Sequence, residues 1–255
     1  MKNVRKNKGF SLIEVLIAVG IVGAGMVFIA GSFPVAIHYA TMTAEKTTAM
    51  SVADEAFAKI RLYGYVGAMD PNWDDNTIDE SANYEHIAIA KQSPLQADYF
   101  YPSKTTRSNK QYSWTAICRR VFPEDSVTNM LQMTVFVCRT GNTNKRYYWQ
   151  NDNGVRFDNS LRPWAISVEV EEKGDAYELW LSASEKEFVN NGYKIVDDLT
   201  GIIYNVTQRD PDDDRRLVLD KPWRWTGKRR VWVVPAAVGG GRKTCIGVYQ
   251  KVISY

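Results

Sequence analysis

Of the residues in this chain that can do chemistry, Glu14 stands in the least hospitable place. It interrupts an apolar run that extends from Phe10 to about Ala30. A carboxylate inside a membrane-length segment costs several kcal/mol unless it is paired or reaches the interface. Such a residue is a functional-site candidate by default. The run is about 21 residues, enough to cross a bilayer core as a helix. Lys2, Arg5, Lys6 and Lys8 precede it without any acid. That bias predicts a cytoplasmic N-terminus and an exported remainder. A secretory signal has a shorter apolar core and a small-residue cleavage site after it, and no clean A-x-A ends this one. Gly9, just before Phe10, reads by residue type alone as a linker glycine.

The other candidates are weaker. Asp70, Asn72, Asp74, Asp75, Asn76 and Asp79 superficially resemble a calcium loop, but the required Gly and the closing Glu are absent. Asp210, Asp212, Asp213 and Asp214 form a second acidic run, followed by Arg215 and Arg216. A solvated turn neutralised by these arginines explains it more simply than calcium. No cofactor is therefore expected, with calcium as the lesser alternative. Trp223, Arg224, Trp225, Lys228, Arg229 and Arg230 interleave rings with cations, a pattern that suits stacking on nucleic acid or sugar. Ordinary strand packing is the simpler reading of it. Gly239-Gly240-Gly241-Arg242-Lys243 lacks the spacing of a phosphate loop and reads as a turn. His38 and His86 lie far apart, no CxxC or GxSxG occurs, and neither histidine has a catalytic setting. No enzyme is expected. The net charge of +3 over 255 residues does not suggest a nucleic-acid binder.

The run Lys8-Gly9-Phe10-Ser11-Leu12-Ile13-Glu14-Val15-Leu16-Ile17-Ala18 resembles the class III signal of type IV prepilins and pseudopilins. The resemblance covers the basic leader, the Gly-Phe junction and the Glu four residues after the Phe. It implies that a membrane prepilin peptidase cuts between Gly9 and Phe10 and methylates the new amine of Phe10. It also implies that Glu14 then pairs with the N-terminal amine of a neighbouring subunit. Two groups that are each costly in lipid satisfy one another only in the correct axial register, so the pair specifies register more than it stabilises.

These residues need a long helix to carry them. Gly20, Gly23, Gly25 and Gly31 thin the apolar segment and permit close helix approach. Pro34 is expected to kink or locally melt the helix. Beyond it, Ala49, Ala53, Ala56, Phe57 and Ile60 recur at three- and four-residue steps, an apolar face for packing under a sheet. Gly64 and Gly67 are plausible stops. Residues 65 to 112 are poorly patterned and contain Pro71, Pro94 and Pro102, so loops and one or two short elements are expected there. Clearer strands follow at 112–121, 131–139, 164–171, 177–183, 202–208, 216–219, 229–234 and 245–253. Lys173-Gly174-Asp175 reads as a hairpin turn.

In the simplest register of the first hairpin, closed by the turn from Pro123 to Asn129, Val121 faces Leu131. Cys118 then faces Thr134 and Cys138 faces Trp114, so these two thiols do not meet. A bridge from either to Cys245 stays open in an oxidising compartment. The expected fold class is α+β and pilin-like, with a long N-terminal helix, transmembrane in its first half, packed against a C-terminal antiparallel β-sheet domain. Residues 1–9 form the leader, 10–64 the helix with about 10–30 in the membrane, and 65–255 an exported β-rich domain. The segments 200–204 and 231–235 fit a small C-terminal sheet added to the core as a meander.

The resemblance implies a structural subunit, minor on grounds of size, of a type IV pilus or a type II secretion pseudopilus. Its partners would be other pilin or pseudopilin subunits, the prepilin peptidase, an inner-membrane assembly platform and the inner membrane itself. It would cross that membrane once, with its C-terminal domain periplasmic or extracellular. The rivals are a tip subunit that binds DNA, a glycan or a surface through the Trp-rich segment, and a plain signal-anchored periplasmic domain.

Overall fold

The computed structural model describes residues 11–67, 84–89, 96–102, 111–121, 130–140, 145–151 and 155–254. Its first element is a 52-residue helix, α1 (Leu12–Tyr63). Contacts divide the chain into two units, Met1–Lys46 and Thr47–Tyr255.

In the first unit the described side chains from Ser11 to Ala44 are all exposed. Among them are Leu12, Ile17, Phe28 and Phe33, which no core covers. By length and composition the helix can cross a membrane. Polar groups within it are satisfied locally. The Ser32 hydroxyl donates to Ile29 O and the Thr41 hydroxyl to Ile37 O, each at 2.8 Å. The expected melting at Pro34 does not occur, since α1 runs through it unbroken. A proline removes only one i→i−4 bond, and the flanking turns continue the helix.

Among its described residues the second unit holds the end of α1 and fourteen strands: β1 (Tyr65–Gly67), β2 (Glu85–Ile89), β3 (Phe100–Tyr101), β4 (Tyr112–Arg120), β5 (Met130–Arg139), β6 (Tyr147–Gln150), β7 (Arg156–Ser160), β8 (Ile166–Glu172), β9 (Glu178–Leu181), β10 (Lys194–Asp197), β11 (Ile203–Arg209), β12 (Arg216–Leu219), β13 (Gly227–Val233) and β14 (Cys245–Ser254). The architecture is α+β and pilin-like: a long apolar N-terminal helix, then antiparallel strands.

One sheet runs β1-β2-β4-β5-β14, with β3 also on β4. Its first face packs on α1. Ala49, Val52, Ala53, Ala56, Phe57 and Ile60 share a core with Trp114, Ala116, Leu131, Met133, Val135 and Val137. The expected apolar stripe is this face, with Val52 added to it. Lys251 ties the same helix to the sheet, bonding Asp54 at 2.8 Å with its ammonium 4.7 Å from the Phe57 ring centroid.

The six strands β10-β11-β12-β9-β8-β13 close into a barrel. The small added meander of the sequence reading is thus corrected. β13 pairs with both β8 and β10 and closes the ring, because the inward residues Ile166, Val168, Val170, Leu179, Ile195, Tyr204, Leu217 and Val231 need cover on every side. The expected turn at Lys173–Asp175 joins β8 to β9, with Gly174 at φ 101°. The hairpin β6–β7 forms a separate two-stranded sheet. Sequence patterning missed β6, β7 and β10.

The register of the β4–β5 hairpin is one residue from the simplest guess. Arg120 faces Leu131, Cys118 faces Met133, and Cys138 faces Ser113. Both strands are buried on both faces, so alternation carried no signal to fix the register. The turn from Pro123 to Asn129 lies outside the described residues.

All chain between β5 and β14 is an excursion from the sheet, and it contains the whole barrel. The barrel sits on the sheet's second face, where Ile117, Phe136, Cys138 and Val248 meet Val196, Trp232 and Val234. A polar seam borders this contact. Arg119 donates to the carbonyls of Leu199 and Thr200 in the β10–β11 turn, and Gln250 Nε2 donates to Gly201 O at 2.7 Å. Asp198 accepts from Tyr84 N–H at 3.0 Å and from Trp232 Nε1 at 2.6 Å.

Gly201 lies in that turn at φ 74°, where an added Cβ would run into the Tyr84 hydroxyl. Gly201→Ala is expected to cost about 2 kcal/mol or more through left-handed strain and displacement of the seam. Chemical denaturation of the two proteins measures it. An unchanged midpoint would show that the seam does not hold the barrel.

Candidate functional site

The cleavage junction expected at Gly9 and Phe10 lies outside the described residues. Glu14 does not. It sits in the first turn of α1, and its geometry follows from a local pattern, Ser11-Leu12-Ile13-Glu14. The Glu14 N–H donates to Ser11 O at 3.0 Å, and the Ser11 N–H donates back to Glu14 Oε2 at 3.1 Å. Ser11 is thus at the N-cap and Glu14 three residues on, the carboxylate half of a capping box. The positive end of the helix dipole favours an anion there. The S-x-x-E spacing that produces this cap is a signal carried by the sequence itself.

The arrangement leaves Glu14 with chemistry to spare. Its side chain is exposed, and Oε1 makes no hydrogen bond among the described residues. A carboxylate held by one oxygen and free at the other can still accept an ammonium donor. Charge-assisted bonds of that kind are roughly twice as strong as neutral ones.

Residues 4–30, which include Glu14, match the family model of the prokaryotic N-terminal methylation motif. The chain is pilin-like by its N-terminal signal. That signal implies processing by prepilin peptidase and assembly with other pilin subunits, and it points to a structural protein. Together with the apolar helix it is consistent with inner-membrane anchoring and pilus assembly. No curated protein and no solved structure matches the chain.

The remaining sequence candidates of this pilin-like chain separate in space. Trp223 is buried in the barrel core, its ring centroid 5.0 Å from that of Tyr204. Trp225 is half-buried against the same core, with the Arg229 guanidinium 5.3 Å from its centroid. Lys228 pairs with Glu169 at 2.9 Å and Arg230 with Asp198 at 3.0 Å. The interleaved motif therefore offers no open pair of tryptophans to stack on a base or sugar. Lys228, Arg229, Arg230, Glu169, Asp197 and Asp198 instead line a mixed-charge cleft of about 210 Å³ on the barrel.

The run Asp210 to Asp214 is a turn crossed by ion pairs. Asp210 meets Arg216 at 2.7 Å, Asp213 meets Arg215 at 3.1 Å, and Asp214 meets Lys186 at 2.7 Å. Neighbouring N–H groups and arginines hold the Asp210 and Asp213 carboxyls below their ordinary range. Among the described residues no group of three or more His, Cys, Asp or Glu is placed to hold a metal. The acidic run from Asp70 to Asp79 lies outside them.

Two buried groups escaped the sequence reading because only tertiary structure buries them. Arg162 is sandwiched between the rings of Tyr99 and Trp164, 4.0 and 3.7 Å from their centroids, and donates to Trp114 O at 3.2 Å. Burial brings its pKa down to about 10. His86 packs edge-on against Trp164 and Trp232, at 5.6 and 4.8 Å between centroids. Burial, helped by the Arg162 charge and opposed by the Ala165 backbone, pushes its pKa down to about 3.

A buried neutral histidine gives stability a definite pH dependence. Below about pH 6.5 the unfolded chain binds a proton at this site that the folded chain refuses, down to about pH 3. Stability should therefore fall with acidification through that window, by up to about 1.4 kcal/mol per pH unit from this group. Denaturation of the intact protein and of His86→Phe at pH 7 and pH 4.5 isolates the effect. Identical losses in the two proteins would rule it out.

Proposed function

We propose that this chain is a structural subunit, and a minor one, of a type IV pilus or type II secretion pseudopilus. The observation that carries the reading is Glu14. It lies within the methylation-motif match, in the first helical turn, with one carboxylate oxygen occupied by its own N-cap and the other open. In this reading residues 1–9 are the leader, cleavage falls between Gly9 and Phe10, and Phe10 is N-methylated. The Phe10 amine of one subunit then meets Glu14 of the next. The helix, 10–64, crosses the inner membrane once over about 10–30 with its leader cytoplasmic, and residues 65–255 are exported. An assembly platform in the same membrane drives incorporation. The reading assigns no catalytic role and no cofactor.

Two further observations support it. The exposed apolar side chains of the first unit have no cover among the described residues, which suits lipid first and neighbouring helices afterwards. The barrel inserted between β5 and β14 is bulk beyond the helix-backed sheet, which favours a specialised subunit over the repeating one. The tip-binding alternative is weakened, because Trp223 is committed to the barrel core.

Glu14→Val is expected to insert into the membrane normally and to enter filaments at least about tenfold less, the equivalent of 1.4 kcal/mol of lost register preference. Shear fractionation with immunoblotting reads both quantities. Mass spectrometry of the mature N-terminus should find methylated Phe10. An intact Met1 start, or normal assembly of the variant, would sink the proposal.

A further inference from the structure

The three thiols of the chain do not share one environment. Cys118 lies on the sheet face turned to α1, in the core with Ala53, Phe57 and Trp114. Cys138 and Cys245 lie on the opposite face, in the core with Phe136, Val196 and Trp232. Side chains on opposite faces of a sheet cannot meet, so Cys118 is out of reach of both.

Cys138, near the end of β5, and Cys245, the first residue of β14, are direct cross-strand partners. One step further along, the Arg139 N–H donates to Thr244 O at 2.8 Å. Hydrogen-bonded and non-bonded positions alternate in an antiparallel ladder, so the cysteine pair occupies a non-bonded position. There the Cα atoms stand about 4.5 Å apart and the side chains come closest. A disulfide takes Cα separations of about 4.4–6.8 Å. The β-bulge between Cys245 and Gly247 adds local freedom to the backbone. Each thiol donates to a carbonyl of its own strand, Cys138 to Phe136 O at 3.8 Å and Cys245 to Gly247 O at 3.4 Å. The neighbouring Cys138 thiol lowers the pKa of Cys245, with help from Lys243 and Lys194 against its burial, while burial raises that of Cys138.

We propose that Cys138 and Cys245 close into a disulfide in an oxidising compartment, stapling together the two strands between which the barrel is inserted and leaving Cys118 as a free thiol. The oxidant is a protein or glutathione disulfide. The Cys245 thiolate attacks one of its sulfurs, forming a mixed disulfide and expelling one thiol. Cys138 then gives up its proton and its sulfur displaces the second thiol. Two chain thiols are oxidised, one external disulfide is reduced to two thiols, and the two protons end on these. Both sulfurs are buried once the chain is folded, so the exchange comes before β14 docks fully on β5. The bond then clamps the neck of the excursion, so that strain on the barrel cannot unzip β14 from its first rung. That the bond forms in the cell rests on the export reading above; the pairing itself does not.

Cell-free synthesis of the full chain into detergent micelles, in a glutathione disulfide buffer, tests the pairing. The product is denatured, alkylated and mapped by peptide mass. The expected result is one alkylated cysteine, Cys118, and a Cys138–Cys245 linked peptide that vanishes on reduction. Cys118→Ala should keep the link and leave no alkylated residue, whereas Cys245→Ala should leave two. Three alkylated cysteines in the unaltered chain, or a link through Cys118, would overturn the proposal. The same map on protein from bacterial membranes separates the two ideas. A link present in micelles but missing from cell-made protein would count against export and not against the pairing.

Discussion

Strand β5 is buried on both faces, and the rest of the second unit is arranged to meet that demand. One set of its side chains, Leu131, Met133, Val135 and Val137, needs the end of α1. The other set, with Phe136 and Cys138, needs the barrel. A strand so covered leaves its neighbours little choice. β4 and β14 pair on either side of it along almost its whole length. The barrel, although it occupies most of the later sequence, is held as a cover for one face of the sheet.

Apolar contact alone would let two such layers slide, because hydrophobic burial has no direction. The seam of Arg119, Asp198, Tyr84 and Gln250 supplies direction. Each of its bonds lands on the turn Asp197–Gly201 or on the residues beside it. Burial raises the Asp198 pKa, against the pull of its hydrogen bonds and of Arg230. A carboxylate placed there without those partners would be strongly destabilising, so the seam fixes orientation more than it adds stability.

Glu14 faces a comparable problem at the other end of α1. Its carboxylate sits in an apolar sequence but at the first helical turn, where a free N–H and the helix dipole are to hand. The capping contact is a resting arrangement that keeps one oxygen satisfied. An incoming ammonium can use the remaining oxygen without first breaking the cap. Local helix chemistry and an intermolecular role are thus compatible in one side chain. Before Lys46 the apolar residues of α1 surround the whole helix, and from Ala49 onward they narrow to the stripe that one sheet face can cover.

The sequence by itself determined everything at the N-terminus that depends on neighbours in the chain. The basic residues before the apolar run, the membrane-length run itself, the place of Glu14 and the apolar stripe to Ile60 are all local patterns, and local periodicity is readable. Most of the later strands were also legible, since β8 alternates inward and outward residues and β14 is a long run rich in β-formers. Register, closure and pairing were not. In β4 and β5 both faces are buried, so no alternation marks which residue faces which, and the simplest guess was one residue off. β10 is a four-residue strand with no pattern of its own, and without it the barrel looked like an open meander. Cys138 and Cys245 stand more than a hundred residues apart and meet only because β14 returns to β5 after the barrel is complete. Tertiary structure decided these features because each depends on a partner brought from a distance, and one chain's local pattern carries no record of that partner.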